Sequence, residues 1–200
     1  MKMKSLLILV FFLSTSQIWG EVSIYKKISE NNCEITMYCK TDEEGNNFFA
    51  NKYYIEIKNK NKQNIIRTEW QFSRPEPRLY WIDNNLFRMD FGSVFAPSSS
   101  TYFYSKELHI ISREYSLATA FIDKDNSLIL CAEFELTIYN IFYPEKYVIL
   151  DTPEDSIGGL LWFSIGKRTY FENKKLILEY NDENWTIKSK IYDLKETGLY

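Results

Sequence analysis

The chain has 200 residues, 24 Lys and Arg against 27 Asp and Glu for a net charge of −3, and 17% Phe, Trp and Tyr. That length is enough for one substantial core without staples, and the acidic balance excludes a general polyanion binder, nucleic acid included. One histidine and three cysteines without C-x-x-C spacing leave little from which to build a metal centre, and no cofactor motif is present.

Lys2 and Lys4 precede the uncharged run Leu6 to Leu13, and a polar stretch follows to Gly20. This is the layout of a secretory signal peptide. The apolar run is about 8 residues, short of the ~20 that a transmembrane helix needs. Residues 1–20 are therefore expected to be removed, leaving a single domain over 21–200. Loss of Lys2 and Lys4 takes the net charge from −3 to −5. Export to the periplasm, with no membrane span after removal, is the expected localisation. Glu21 at the cleavage point, where a lipoprotein has Cys, argues against a lipid anchor.

Alternation dominates the remainder. Cys33, Ile35, Met37 and Cys39 alternate with Glu34, Thr36 and Tyr38, a period-2 pattern that predicts a strand. Such a strand holds the Cys33 and Cys39 Cα atoms about 20 Å apart at ~3.3 Å per residue, whereas a disulfide spans ~4.4–6.8 Å. A turn between them would instead permit a local Cys33–Cys39 bridge, and both arrangements stand open, with Cys131 as the third thiol. Tyr53, Ile55 and Ile57 oppose Tyr54, Glu56 and Lys58. Ile66, Thr68, Trp70 and Phe72 oppose Ile65, Arg67, Glu69 and Gln71, which predicts one strand with a single buried face.

Pro75 and Pro77 then impose an extended connection. Hairpins are predicted at Asp83-Asn84-Asn85, Asp123-Lys124-Asp125-Asn126 and Asn181-Asp182-Glu183-Asn184, where Asx side chains favour turns. A Ser-rich loop runs from Pro97 to Thr101, and Leu108 to Ile111 reads as a strand. No window carries sustained 3.6-residue spacing with caps, so no long helix is expected. The predicted fold is all-β, an antiparallel meander of short strands packed as a two-sheet β-sandwich. Segments 116–142 and 160–191 also resemble the blade hairpins of a propeller, without a dipeptide repeated at fixed period.

Chemistry is sparse. His109 shares a predicted strand face with Glu107, but no nucleophile accompanies them, and a plain hydrogen-bonded histidine is the stronger reading. Asp123, Asp125 and Ser127 open like a calcium loop, yet Leu128 and Phe134 stand where Gly and Glu are needed. Glu133 and Glu135 form a carboxylate pair of unspecified separation. Asn184-Trp185-Thr186 matches an N-glycosylation acceptor.

An aromatic-rich strand surface with few catalytic groups suits a protein partner. The expected function is that of an exported binding protein, in concrete form an immunity or inhibitor protein neutralising a toxin or hydrolase. Expected contact residues are Arg74 and Arg78 in the proline-flanked loop, Trp81, Trp162, and the acidic loop Asp151, Glu154 and Asp155. Core packing is the competing reading for each Trp, and a solvated loop for the acids. Two other classes stand beside this one: a carbohydrate hydrolase using Glu133, Glu135 or Asp155, and a structural component of the envelope.

Overall fold

The computed structural model describes residues 22–40, 51–73, 76–92, 100–116, 121–132, 135–157 and 165–200, with the backbone alone at Phe72 and Ser116. The leader-like segment 1–20, Arg74, Glu133, Gly158-Gly159 and Trp162 lie outside the described residues. Within them the chain is all-β and without a helix, and it forms four antiparallel sheets in chain order.

The first sheet contains β1 (Val22–Glu30), β2 (Cys33–Lys40), β3 (Asn51–Asn59), β4 (Ile65–Arg67) and β5 (Gln71–Ser73). The second contains β6 (Arg78–Trp81), β7 (Leu86–Phe91), β8 (Ser100–Ser105), β9 (Ile110–Ile111) and β10 (Tyr115–Ser116). The third runs through β11 (Ile122–Asp123), β12 (Leu128–Ala132), β13 (Leu136–Asn140) and β14 (Tyr147–Leu150). The fourth is β15 (Tyr170–Glu172), β16 (Lys175–Asn181) and β17 (Ile187–Asp193).

Local chemistry sets the turns. Asn31 and Asn32, and again Asn173 and Lys174, take positive φ, the mirror-type geometry that matches strand twist in two-residue hairpins. The three predicted Asx turns are present, each built on one aspartate. Asp83 Oδ1 accepts from the amides of Asn85 and Leu86, Asp123 Oδ1 from that of Asn126, and Asp182 Oδ1 from those of Asn184 and Thr186. The calcium-like stretch at Asp123 is thus a hairpin turn whose carboxylate also accepts from the Tyr200 hydroxyl.

The sheets stack face to face. Ile35, Met37, Ile55 and Ile57 of the first pack on Phe87, Met89, Phe91 and Tyr104 of the second. Leu86, Phe103 and Tyr115, from the other face of the second sheet, meet Ile129, Cys131 and Ile141 of the third. Leu128, Leu130 and Ile138, from the third sheet's other face, meet Leu176, Leu178 and Tyr180 of the fourth. Sandwich packing therefore occurs at three successive interfaces rather than one. The two middle sheets are covered on both faces, so β7 and β12 are buried along their whole length, while β16 alternates.

Two predicted strands change. Residues 65–72 do not form one ladder: β4 and β5 are separate pieces on β3, interrupted at residues 68–70. Leu108 to Ile111 is mostly a turn, and only β9 pairs, with His109 at φ +56°.

Removing a buried branch tests the stacking. Leu178→Ala is expected to cost about 2–5 kcal/mol, read as a lower urea midpoint. Ser189→Ala, on the exposed strand alongside, should stay within ~0.5 kcal/mol of the parent.

Candidate binding surface

Among the described residues the first sheet packs on the second through its inner face, and no other sheet covers its outer face. Along β2 and β3 the odd-numbered residues point inward, which turns Tyr38 and Tyr54 outward. Their register is direct, and the rings stack at 4.6 Å with an interplanar angle of 7°. Ile24 on β1 opposes Tyr38 from the other side and is 62% exposed.

The row is completed by a β-bulge. Arg67 opposes Glu56 and Gln71 opposes Tyr53, so residues 68–70 face only Tyr54 and Ile55. One extra residue inverts the alternation beyond it. Ile66 stays inward opposite Ile57, but Trp70, expected on the same buried face, is turned outward. Its ring meets Tyr54 edge-on at 4.6 Å and 73°, and the residue is 40% exposed. Thr68 fixes the bulge by satisfying both backbone groups of Ile55: its amide donates to the Ile55 carbonyl, and its Oγ1 accepts from the Ile55 amide, each at 3.0 Å. The result is a cross-strand row Ile24, Tyr38, Tyr54, Trp70.

Charges border this row. Arg67 donates to Glu56 Oε2 at 2.9 Å, and Lys27 reaches Glu34 at 2.9 Å. The Lys27 hydrogen bond and charge hold the Glu34 carboxyl below the ordinary range. Partial burial, then the neighbouring Tyr38, push the Tyr54 hydroxyl up. Lys40 and Lys52 oppose each other at the far end.

Of the contact residues singled out in the sequence, the described ones, Arg78, Trp81, Asp151, Glu154 and Asp155, are on other strands and loops. Arg78 projects with its side chain 80% exposed, 3.7 Å from Asp90 Oδ2. Trp81 is packing material: its ring meets Phe87 at 5.0 Å and Tyr104 at 6.3 Å, and its Nε1 is buried without a partner. The acidic loop is fastened to the fourth sheet. The Asp151 carbonyl accepts from Lys190 Nζ and the Tyr192 hydroxyl, and Asp155 accepts from the Tyr180 hydroxyl at 2.9 Å and from Lys188. Asp151 and Glu154 are exposed, and Asp155 is half-buried.

Of the candidate hydrolase carboxylates, Glu133 lies outside the described residues. The hydrogen bonds from Lys188, then Tyr180, hold Asp155 ionised, the opposite of what a general acid requires. Glu135 is an exposed residue beside β13. His109 is a clasp between sheets. Its Nε2 donates to the Asn64 carbonyl at 2.8 Å, so in the neutral ring Nδ1 accepts the Tyr104 hydroxyl at 3.1 Å. The Tyr104 oxygen in turn accepts from Asn59 Nδ2. Cys33 and Cys39 are not bridged. Both sit buried on the inner face of the unbroken strand β2, about 20 Å apart by its rise.

Sequence reading also missed a buried ion pair. Arg88 Nε donates to Asp90 Oδ1 at 2.7 Å, Thr101 Oγ1 donates to the same oxygen at 2.9 Å, and Arg88 and Asp90 are both buried. The i, i+2 spacing of Arg88 and Asp90 on a strand was the available signal. No protein-family model matches the chain, and neither a curated protein nor a solved structure matches it.

Two measurements follow. Asp90→Ala strands the Arg88 guanidinium and is expected to lower stability by about 3–5 kcal/mol, measured by denaturant unfolding. Asp155 and Asp182 are both held low by Lys188 among other donors. Their contribution is complete above the ordinary aspartate value of ~3.9 and is lost as pH falls through the lowered ones. The urea midpoint should therefore drop as the pH is taken from about 5 to about 2, and drop less in Lys188→Met.

Proposed function

We propose that this is an exported binding protein that acts by occluding a protein partner, as an immunity or inhibitor protein does toward a toxin or hydrolase in the periplasm. The carrying observation is the row Ile24, Tyr38, Tyr54 and Trp70 on an open sheet face, with Trp70 aimed outward by a bulge. An aromatic centre with a charged rim is the composition of energetic centres in protein interfaces, where Trp, Tyr and Arg dominate. A bulge of this kind commonly re-aims a side chain at a functional surface. Rigid rings on paired strands lose little conformational entropy on contact, which favours tight association over turnover.

Export rests on the arrangement of Lys2, Lys4 and the run Leu6 to Leu13. Among the described residues no helix is long and apolar enough to cross a membrane. The charge of the chain after leader removal supports a protein rather than a nucleic-acid partner.

Affinity capture from envelope extracts identifies the partner, and titration then measures its Kd. Trp70→Ala should weaken binding by at least ~30-fold, about 2 kcal/mol, with the thermal midpoint nearly unchanged. Arg78→Ala, on another sheet, should leave the Kd within ~3-fold of the parent. Equal capture by the Trp70→Ala protein would remove this face from consideration.

A further inference from the structure

Sheet edges are open templates for pairing, and most edges of this protein are blunted in recognisable ways. β6 and β14 have only 4 residues, β4, β5 and β15 have 3, and β9, β10 and β11 have 2. β1 is long, but its register shifts between Ile24 and Lys26, and it carries Lys26 and Lys27. β17 is 7 residues long and, apart from Lys188 and Lys190, has none of these devices. It pairs with β16 over seven consecutive residues without a register shift, and among the described residues no backbone hydrogen bond reaches its other edge.

Its lysines do not guard that edge. Lys188 is drawn to Asp155 and Asp182, and Lys190 to the Asp151 carbonyl, all on the side of the acidic loop. The opposite face of the strand carries Ser189 and Asp193 together with exposed apolar side chains: Ile187 is 68% exposed, Ile191 62% and the preceding Trp185 69%. Ile191 continues into a row with Ile177 and Tyr170 across the sheet.

We propose that two copies of this chain pair antiparallel through β17, about a two-fold axis at Ser189. The strand is self-complementary in that register. Ile187 and Ile191 are equidistant from Ser189, so each Ile187 faces the other copy's Ile191 on the apolar side. On the other side Lys188 faces Lys190 of the second copy, and Asp155 and Asp182 offset the like charges. The exposed parts of Trp185, Ile187 and Ile191 amount to about 400 Å², about half of the ~800 Å² per partner of a standard interface. Joined edges form one continuous six-stranded sheet, which covers the unblunted strand with the commonest oligomer symmetry.

Sedimentation velocity of the purified protein over a concentration series tests the pairing. A monomer–dimer equilibrium is expected, shifted at least ~10-fold toward monomer by Ile191→Thr, which keeps strand propensity, and by Ile187→Lys. Circular dichroism of each variant checks that the fold is retained. Antiparallel partners lie ~4.5–5.5 Å apart at Cα, within reach of a disulfide. Ser189→Cys should thus oxidise to a covalent dimer much faster than Lys124→Cys on an exposed turn. A protein that stays monomeric at every concentration, or equal cross-linking by the two cysteine variants, overturns the proposal. Because β17 lies on the last sheet, Trp70→Ala should leave self-association intact, which separates this result from partner binding.

Discussion

Burial of both faces of the two middle sheets is the constraint on which this molecule depends. An antiparallel sheet ordinarily covers one face and wets the other, and four such sheets in chain order cover three interfaces between them. The second and third sheets surrender both faces along their central strands: β7 is buried throughout with Arg88 and Asp90 as its polar residues, and β12 is buried and wholly apolar. The first and last sheets each keep one open face.

The open face at the first end combines an aromatic row with ion pairs, and its composition depends on a single inserted residue. Thr68 takes both hydrogen bonds of Ile55, which leaves Trp70 one position out of phase and beside Tyr54. Without the extra residue the indole would face the core that Ile35 and Ile57 already fill. The inter-sheet clasp of His109, Tyr104, Asn59 and Asn64 holds the β3–β4 hairpin just before this segment. The only histidine of the chain thus serves geometry, positioning the strand that leads into the bulge.

At the other end, the acidic loop illustrates why charge in a sequence is a poor guide to a contact surface. The Asp155 carboxylate is taken up by Lys188 and Tyr180, and Asp151 is held through its backbone carbonyl by Lys190 and Tyr192. Trp81 makes the same point for aromatic residues, because its neighbours Phe87 and Tyr104 come from strands that sequence spacing does not bring near it.

The sequence by itself determined the strands and their turns. Period-2 alternation over Cys33–Cys39 and Tyr53–Ile57, and aspartates at the turns after residues 82, 122 and 181, act through neighbours within a few positions. For Cys33 and Cys39 the sequence left a bridge across a turn and an extended separation both open, and the unbroken strand β2 holds them apart. Tertiary structure decided the number of sheets, the outward turn of Trp70, the fastening of the acidic loop and the inward place of Trp81. Each of these depends on a hydrogen bond or packing contact between residues distant in the chain, and a one-residue slip in register exchanges the two faces of a strand without changing its composition.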